Sequence, residues 1–349
     1  MNSETKAYTA RESAFRGQLL AWYDAHARDL PWRESRDPYR VWVSEIMLQQ
    51  TRVAAVIAHY HEFLRRFPTV EKLARAREAS VLAAWSGLGY YRRARMLHAT
   101  AKVIVRELGG RFPQSSTDWR ELPGIGRYTA AAIGSIAFDE PVAVVDGNVE
   151  RVLQRFSGRR LVGEDFWRAA DALLDRTRPG DFNQAMMELG ATVCTPRVPT
   201  CLTCPVVELC ATRGEIAGSA KSQRQKKREI HYALHFRDGA VFLVQRAGDA
   251  RLMAGMWDLP ELAAPEPSAR KKPVPPLRFA KARNNKPSMT LRHSITVTDY
   301  VVQVWRMAAP EGLHGEWVGV HRLSRIALTG LARKILRKAN LIVAASNYV

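Results

Sequence analysis

Residues 122–130 read LPGIGRYTA, and this stretch decides how the first half of the chain is interpreted. Gly124 and Gly126 can adopt backbone angles that other residues avoid, and they lie between a short helical segment and a long one that starts near Arg127. Exposed N–H groups and the dipole of the second helix favour a phosphate group without reading bases. The stretch predicts a phosphate-binding helix–hairpin–helix, with a plain turn between two helices as the alternative.

The remaining sequence divides around one polar segment. Apolar residues recur at helical spacing through most of region 8–214, which predicts a mainly α fold. Segment 215–229 is basic and lacks this periodicity, so it is interpreted as a linker that either follows DNA phosphates or is a solvated tether. Region 230–349 contains two β-type runs around Asp238-Gly239 and a third run rich in β-branched residues, which predicts an α+β domain.

The charge of the chain favours nucleic acid as the partner. The 53 Lys and Arg residues exceed the 34 Asp and Glu residues, which gives a formal net charge of +19. Such a basic surface attracts polyanions, although a protein that is merely basic and soluble is the alternative. We find neither a long apolar run nor a secretory signal, and we expect a cytoplasmic protein without a membrane partner, associated with the nucleoid if the source is bacterial.

The four cysteines form one cluster in segment 194–210. Cys194, Cys201, Cys204 and Cys210 have the spacing C-x6-C-x2-C-x5-C. Four thiolates at this spacing can bind one 4Fe–4S cluster or one zinc ion. The iron–sulfur cluster is favoured because structural zinc more often uses two C-x2-4-C pairs. Zinc and four unliganded cysteines are the alternatives.

Together, these motifs and several others resemble those of a known family. It is similar to the helix–hairpin–helix DNA glycosylases of the endonuclease III superfamily that carry an iron–sulfur cluster, and more narrowly to adenine DNA glycosylases of the MutY type. The resemblance is specific over about the first 210 residues and weaker beyond them. The motifs that carry it are LPGIGRYTA, VVDGNVERVL at 144–153, MELGATVCTPRVPTCLTCPVVELC at 187–210, LPWR at 30–33, VWVSEIMLQQT at 41–51 and GLGYYRRAR at 87–95.

The resemblance implies a monofunctional enzyme because of Tyr128. In the relatives that also cut the strand, this position carries a lysine that forms a Schiff base with the sugar C1′. A tyrosine cannot do this, so the implied product is an abasic site. The implied substrate is double-stranded DNA with adenine opposite 8-oxoguanine or G, bound by a monomer. A thymine or uracil mismatch glycosylase of the same superfamily and a non-catalytic DNA-damage-binding protein are the alternatives.

Two carboxylates are candidates for the chemistry. Releasing a purine requires a proton on the base and a negative charge beside an oxocarbenium-like sugar. Glu45 lies in an apolar helical run, where burial would raise its pKa and make it a general acid toward adenine N7, unless it lies on an exposed polar face. Asp146 is either the stabilising carboxylate or only a helix N-cap. The resemblance implies that Asn148 and Tyr128 orient Asp146 and the water.

Further candidates follow from the need to flip the adenine out of the duplex. The resemblance implies that Gln50 and Tyr90 fill the vacated space and that Thr51 contacts the opposite base. It also implies that Trp32 and Arg33 line the adenine pocket. For Tyr90, an ordinary core aromatic is the alternative.

The second domain resembles the start of a Nudix domain at 240–261, AVFLVQRAGDARLMAGMWDLPE. The acidic helix that would bind magnesium is missing, so we interpret the domain as a non-hydrolytic module that recognises 8-oxoguanine. The family reads the lesion with Phe-Ser-His, and here Ile295, Thr296 and Val297 occupy those positions. Thr296 would keep the hydroxyl contact. His293 and Ser294 in a shifted register, or a simple strand start, are the alternatives.

Overall fold

The fold is described from a computed structural model that covers residues 3–214, 226–250, 253–262, 286–295, 298–308 and 312–342. Its contacts divide the chain into two compact units. The first unit combines Met1–Arg75 with Met96–Ala220, and the second unit combines Ala76–Arg95 with Lys221–Val349. The domain bounds predicted from sequence place segment 76–95 in the first region, whereas the contacts of this segment group it with the C-terminal part of the chain.

The helices confirm the mainly α character of the first half. No helix in the described part of the chain is long and apolar enough to cross a bilayer. The helices are α1 Ser3–His26, α2 Pro38–Leu48, α3 Val53–Arg66, α4 Val70–Arg75, α5 Glu78–Trp85, α6 Arg92–Glu107, α7 Ser116–Arg120, α8 Arg127–Phe138, α9 Gly147–Ser157, α10 Glu164–Leu173, α11 Pro179–Thr192 and α12 Gly330–Lys338.

One apolar core of the first unit joins α1, α9, α10 and α11. Phe15 of α1 lies with its ring centroid 4.5 Å from that of Phe156 of α9 and 6.3 Å from that of Phe182 of α11. All three rings are buried, and such burial contributes roughly 2–3 kcal/mol for each side chain. This packing holds the C-terminal turn of α9 against α1, and the N-terminus of α9 meets α11 at Gly190, where a Cβ would lie 2.6 Å from Cβ of Asn148.

The predicted hairpin lies between α7 and α8. Gly124 has a φ of +76°, in the left-handed region that favours glycine. A Cβ at Gly124 would also lie only 2.6 Å from Cβ of Met96, so a larger residue would not fit without movement. Gly126 is the N-cap of α8, with its backbone extended.

The second unit has the predicted α+β character, with two sheets and helix α12. The strands are β1 Lys226–Leu234, β2 Phe236–Arg237, β3 Ala240–Gln245, β4 Trp257–Asp258, β5 Glu261–Leu262, β6 Met289–Ile295, β7 Thr298–Arg306 and β8 Glu316–Gly319. The first sheet has the order β5–β1–β7–β6, in which β1 and β7 are parallel. In the second sheet β3 pairs with β2, β4 and β8.

The turn at Asp238-Gly239 connects β2 to β3, as its sequence predicts. Both residues have positive φ angles, 51° and 71°, which is the backbone of a two-residue hairpin turn. Strand β1 starts at Lys226, so the last residues of the predicted linker 215–229 pair with β7. Residues 215–225 of that linker lie outside the described part of the chain. Thr296 and Val297, and the side chain of Ile295, also lie outside it.

Candidate active site

A pocket of about 620 Å³ opens in the first unit among α2, α8, α9 and α11. This volume is within the usual range for small-molecule sites. Nine of the site residues predicted from sequence line it, namely Trp32, Arg33, Glu45, Gln50, Thr51, Gly126, Tyr128, Asp146 and Asn148.

Helix α2 places Glu45 at this pocket. The helix starts after Asp37, whose side chain accepts a hydrogen bond from the backbone N–H of Arg40 at 2.8 Å, and Pro38 occupies its first turn. From Val41 to Met47 every side chain is buried. Because this part of the helix has no exposed face, the alternative of a solvent-exposed Glu45 is wrong.

Burial of Glu45 makes it a weak acid. The side chain is only 5% exposed, and loss of hydration raises its pKa to about 7. The Tyr128 hydroxyl donates a hydrogen bond to Glu45 Oε2 at 2.8 Å and opposes this rise, whereas the charge of Asp146 adds to it. Burial therefore keeps a proton available on Glu45 near neutral pH, as a general acid requires.

Asp146 is the N-cap of α9 and also lines the pocket, so both functions considered for it are structurally compatible. Its Oδ1 accepts hydrogen bonds from the backbone N–H groups of Asn148 at 2.9 Å and Val149 at 2.8 Å. Its Oδ2 accepts a bond from Asn148 Nδ2 at 3.0 Å. These donors and the dipole of α9 fix the carboxylate and stabilise its negative charge.

Asn148 is itself held by Arg151 and α11. Arg151 Nη2 donates to Asn148 Oδ1 at 2.8 Å and to the carbonyl oxygen of Gly190 at 2.6 Å. Its Nε donates to the carbonyl oxygen of Cys194 at 2.7 Å. The close approach of α11 to Asn148 requires a glycine at position 190, because a Cβ there would lie 2.6 Å from Cβ of Asn148. A continuous set of hydrogen bonds thus connects Asp146 with the start of the cysteine segment.

Tyr128 has a different partner from the one expected. Asn148 contacts Asp146 as predicted, but the Tyr128 hydroxyl donates to Glu45 and lies 3.4 Å from the Met187 sulfur. Burial, followed by the charge of Glu45, raises the pKa of Tyr128 well above its ordinary value. The hydroxyl therefore stays a hydrogen-bond donor to the glutamate.

Glu188 of α11 also lines the pocket, although it is not among the site residues predicted from sequence. It is 1% exposed and accepts hydrogen bonds from Arg28 Nε at 2.6 Å and Arg33 Nη2 at 2.9 Å. Burial raises the pKa of Glu188, but the bonds and charges of these arginines outweigh it and hold the pKa below its usual range. The rings of Trp32 and Tyr60 meet in a T-shaped contact, with their centroids 5.6 Å apart. An acidic residue within an apolar helical run, the signal used for Glu45, also marks Glu188.

Gln50, Thr51 and Tyr90 lie at two separate turns. Gln50 follows the end of α2 with a φ of 53°, and Thr51 next to it donates from its hydroxyl to the Gln49 carbonyl oxygen at 3.2 Å. Tyr90 has a φ of 47° and belongs to the second unit. Left-handed backbone in a large residue is uncommon and concentrates at functional sites. Tyr90 is 50% exposed, so the alternative of a core aromatic is wrong.

The four cysteines are half-buried, form no disulfide and line one small cavity of about 20 Å³. Arg155 also lines it, and its Nη1 lies 3.3 Å from the Cys194 sulfur. Within the described ranges of the chain, no three His, Cys, Asp or Glu side chains are grouped so that they could hold a metal ion. The structure thus brings four soft donors to one cavity without showing a closed ligand set.

Comparison with known proteins first shows the superfamily of DNA repair proteins to which the first unit is similar. Residues 43–161 match the HhH-GPD superfamily of base excision DNA repair proteins. A thermostable thymine-DNA glycosylase of known structure is 30% identical with a TM-score of 0.56, and the match covers 59% of this chain and 98% of that one. An endonuclease III–DNA complex is 20% identical with a TM-score of 0.51. The match covers 61% of this chain and 97% of that one, and it shows the shared fold.

Curated relatives then define the family. The adenine DNA glycosylase of Homo sapiens is 50% identical over 222 residues, which cover 59% of this chain and 41% of the relative. That of Mus musculus is 41% identical over 319 residues, covering 73% and 62%. That of Schizosaccharomyces pombe is 32% identical over 327 residues, covering 73% and 71%. The chain belongs to the adenine DNA glycosylase family, and it spans 41% to 62% of the length of these two mammalian relatives.

Proposed function

We propose that this chain is a monofunctional DNA glycosylase of base excision repair that hydrolyses the N-glycosidic bond of adenine mispaired with 8-oxoguanine or G. The observation that carries the proposal is that Glu45 and Asp146 line one pocket in different environments. Glu45 is buried with a pKa near 7, whereas Asp146 is fixed by three N–H bonds. This is the arrangement expected for an acid and a charge-stabilising carboxylate.

In the proposed reaction, Glu45 gives its proton to N7 of the flipped adenine. The C1′–N9 bond breaks, and its electron pair leaves with the base. Asp146 balances the positive charge on the sugar until water adds to C1′, and the proton released by that water restores Glu45. None of the described residues that line the pocket is a lysine, which supports hydrolysis without Schiff-base formation and strand cleavage.

The proposed partner is double-stranded DNA. The net charge of +19 supports it, and so does the hairpin of Gly124 and Gly126 before the N-terminus of α8. By resemblance to the family, Gln50 of the first unit and Tyr90 of the second unit are each assigned to DNA contacts during base flipping, and each holds left-handed backbone at a turn of its own unit. Trp32 and Arg33 are assigned to the adenine pocket that they line.

The second unit is proposed as a Nudix-like module that reads 8-oxoguanine. Its two sheets and helix α12 support an α+β module of this kind. The assignment of Thr296 rests on sequence resemblance alone, because that residue lies outside the described part of the chain. A strong preference for 8-oxoguanine over G would support the module, and equal rates would contradict it.

A 4Fe–4S cluster on Cys194, Cys201, Cys204 and Cys210 is the proposed cofactor. The four cysteine side chains line one cavity, and the buried Arg155 beside Cys194 offers a positive charge to balance thiolates, so the number and chemistry of the donors support such a group. When bound, the cluster would supply a cross-link within segment 194–210. Cys194 would then hold the carbonyl oxygen that positions Arg151, and through it Asn148.

Iron content tests this assignment. We expect the purified protein to be brown and to contain about four irons per chain. Removing the metal with a chelator under reducing conditions should lower both thermal stability and excision, because segment 194–210 loses its cross-link. A sample kept under the same reducing conditions without the chelator serves as the control. One zinc per chain and no visible absorption would contradict the cluster.

The contact between Tyr128 and Glu45 predicts a shift in pH dependence. Tyr128→Phe removes the hydrogen bond that favours the charged glutamate, so the pKa of Glu45 should rise. The falling limb of kcat/KM with pH should therefore move to higher pH than in the wild type. Tyr39→Phe is the matched control, because it removes a buried hydroxyl that donates to the Phe67 carbonyl oxygen at 2.7 Å. A limb that stays in place in Tyr128→Phe would contradict the role given to this contact.

A panel of labelled duplexes tests the proposed function. Single-turnover assays would compare A opposite 8-oxoguanine, A opposite G, A opposite T, T opposite G and U opposite G, each with and without hot alkali. Strand breaks that require alkali and occur fastest for A opposite 8-oxoguanine are expected. Breaks only at T or U would favour the mismatch-glycosylase alternative, and binding without breaks would favour the non-catalytic one.

A further inference from the structure

Tyr90 lies on a short turn where its backbone adopts left-handed angles that are unfavourable for a tyrosine. The Tyr90 turn, residues 86–91, connects α5 to α6. Gly87, Gly89 and Tyr90 have positive φ angles of 117°, 70° and 47°. A tyrosine keeps such a backbone only where the surrounding structure holds it. The contacts of this turn therefore decide whether the half-exposed ring is presented in one orientation.

Local contacts support the inner side of the turn. Trp85 Nε1 donates to the carbonyl oxygen of Gly89 at 3.1 Å, and Arg93 Nη2 donates to the same oxygen at 3.4 Å. The Arg93 guanidinium lies 5.3 Å from the centroid of the Tyr90 ring. These residues fix the shape of the turn, but they belong to the same short segment and do not anchor it.

The two ends of the turn are anchored to one carbonyl group in the C-terminal part of the second unit. The hydroxyl of Ser86 donates to the carbonyl oxygen of Leu328 at 2.9 Å, and the hydroxyl of Tyr91 donates to the same oxygen at 3.1 Å. Arg333 Nε, on α12, donates to Ser86 Oγ at 2.9 Å. Ser86, Tyr91 and Leu328 are all buried, so water does not compete for these bonds.

The Leu328 carbonyl group, which accepts both hydrogen bonds, is held by regular secondary structure on both sides. Leu328 forms a bridge with Trp257 of β4, and the backbone N–H of Thr329 donates to the carbonyl oxygen of Trp257 at 2.9 Å. Thr329 is the N-cap of α12, where its hydroxyl accepts from the N–H of Ala332 at 3.1 Å. A strand and a capped helix thus fix the position of the Leu328 carbonyl.

We propose that the C-terminal part of the second unit positions Tyr90 for insertion into DNA. Ser86 and Tyr91 are positioning residues that act through the Leu328 carbonyl, and Arg333 is one that acts through Ser86. The inference rests on the proposed function, and it gives the second unit a part in base flipping as well as in reading the opposite base. None of the three residues needs to touch the DNA for this.

Arg333→Met tests the proposal, with Arg337→Met as the matched control on the exposed face of the same helix. The probe is a duplex with 2-aminopurine at the target position opposite 8-oxoguanine, whose fluorescence rises when the base unstacks. We expect Arg333→Met to lower both unstacking and single-turnover excision about tenfold and Arg337→Met to change them by less than about twofold. Tyr91→Phe, which removes one hydroxyl, repeats the test if Arg333→Met folds poorly.

A Tyr90→Ala background separates positioning from general stability. If Arg333 acts through Tyr90, Arg333→Met should have no further effect in that background. An equal effect in both backgrounds, or no difference between Arg333→Met and Arg337→Met, would overturn the inference. Wild-type protein that unstacks the base but excises nothing would contradict the proposed function and leave the inference standing. Wild-type protein that does neither would overturn both.

Discussion

Replacing Glu45 with glutamine is expected to slow adenine excision by about 1,000-fold, since a general acid contributes on the order of 100- to 10,000-fold. Glutamine keeps the size of the side chain and an oxygen that accepts the Tyr128 hydrogen bond, but it has no proton to give to N7. The measurement is the single-turnover rate on A opposite 8-oxoguanine at pH 7. Glu34→Gln, at an exposed position eleven residues earlier in the chain, is the control. A rate within about tenfold of the wild type would assign the acid elsewhere.

The same variant should be more stable than the wild type at pH 8. Burial raises the pKa of Glu45 from 4.5 to about 7, so the unfolded chain releases this proton before the folded protein does. Wild-type stability should therefore fall as pH rises from about 4.5 to 7, by about 3 kcal/mol for this group. Glu45→Gln removes this penalty, and the difference should vanish at pH 4. Chemical denaturation at both pH values measures it and shows that lost activity is not unfolding.

Asp146→Asn is expected to slow excision by about 1,000-fold while keeping the cap of α9, and it loses only the bond from Asn148 Nδ2, which an amide nitrogen cannot accept. The carboxylate is proposed to balance charge at C1′, and removing such stabilisation typically slows a reaction by about 100- to 1,000-fold. Asparagine is as good an N-cap as aspartate, so α9 should keep its start. Single-turnover rates and thermal unfolding of the same samples measure the two effects.

Asp146→Ala provides the comparison for that variant. It should lose excision and also about 1 kcal/mol of stability, because the cap is lost with the charge. If Asp146→Asn kept full activity, Asp146 would be only a helix cap and the charge at the sugar would come from another group.

Local sequence features predicted several parts of the fold because local chemistry determines them. Gly124 and Gly126 fix the hairpin before α8, and Asp238-Gly239 fixes the turn between β2 and β3. The burial of Glu45 followed from the apolar residues around it in α2. In each case the deciding interactions are within a few residues along the chain.

Other features could not be predicted because they depend on contacts between distant segments. Two carboxylates, those of Glu45 and Asp146, line the same pocket as Tyr128. The packing of α8 against α2 determines that the Tyr128 hydroxyl donates its hydrogen bond to Glu45. Glu188 becomes a site residue through Arg28 and Arg33, about 160 positions earlier in the chain. Segment 76–95 groups with the second unit, and within that unit Ser86 and Tyr91 donate hydrogen bonds to Leu328, more than 230 positions away.

The most direct test of the central claim is the pH dependence of adenine release by the wild-type protein. Free adenine from a duplex with A opposite 8-oxoguanine would be measured at subsaturating enzyme from pH 5 to 9, so that the rate reports the unbound enzyme. Because Glu45 must be protonated to act and its pKa is about 7, the rate should fall about tenfold per pH unit above pH 7. A rate that is constant or rises across this range would contradict the assignment of Glu45 as the acid that releases adenine.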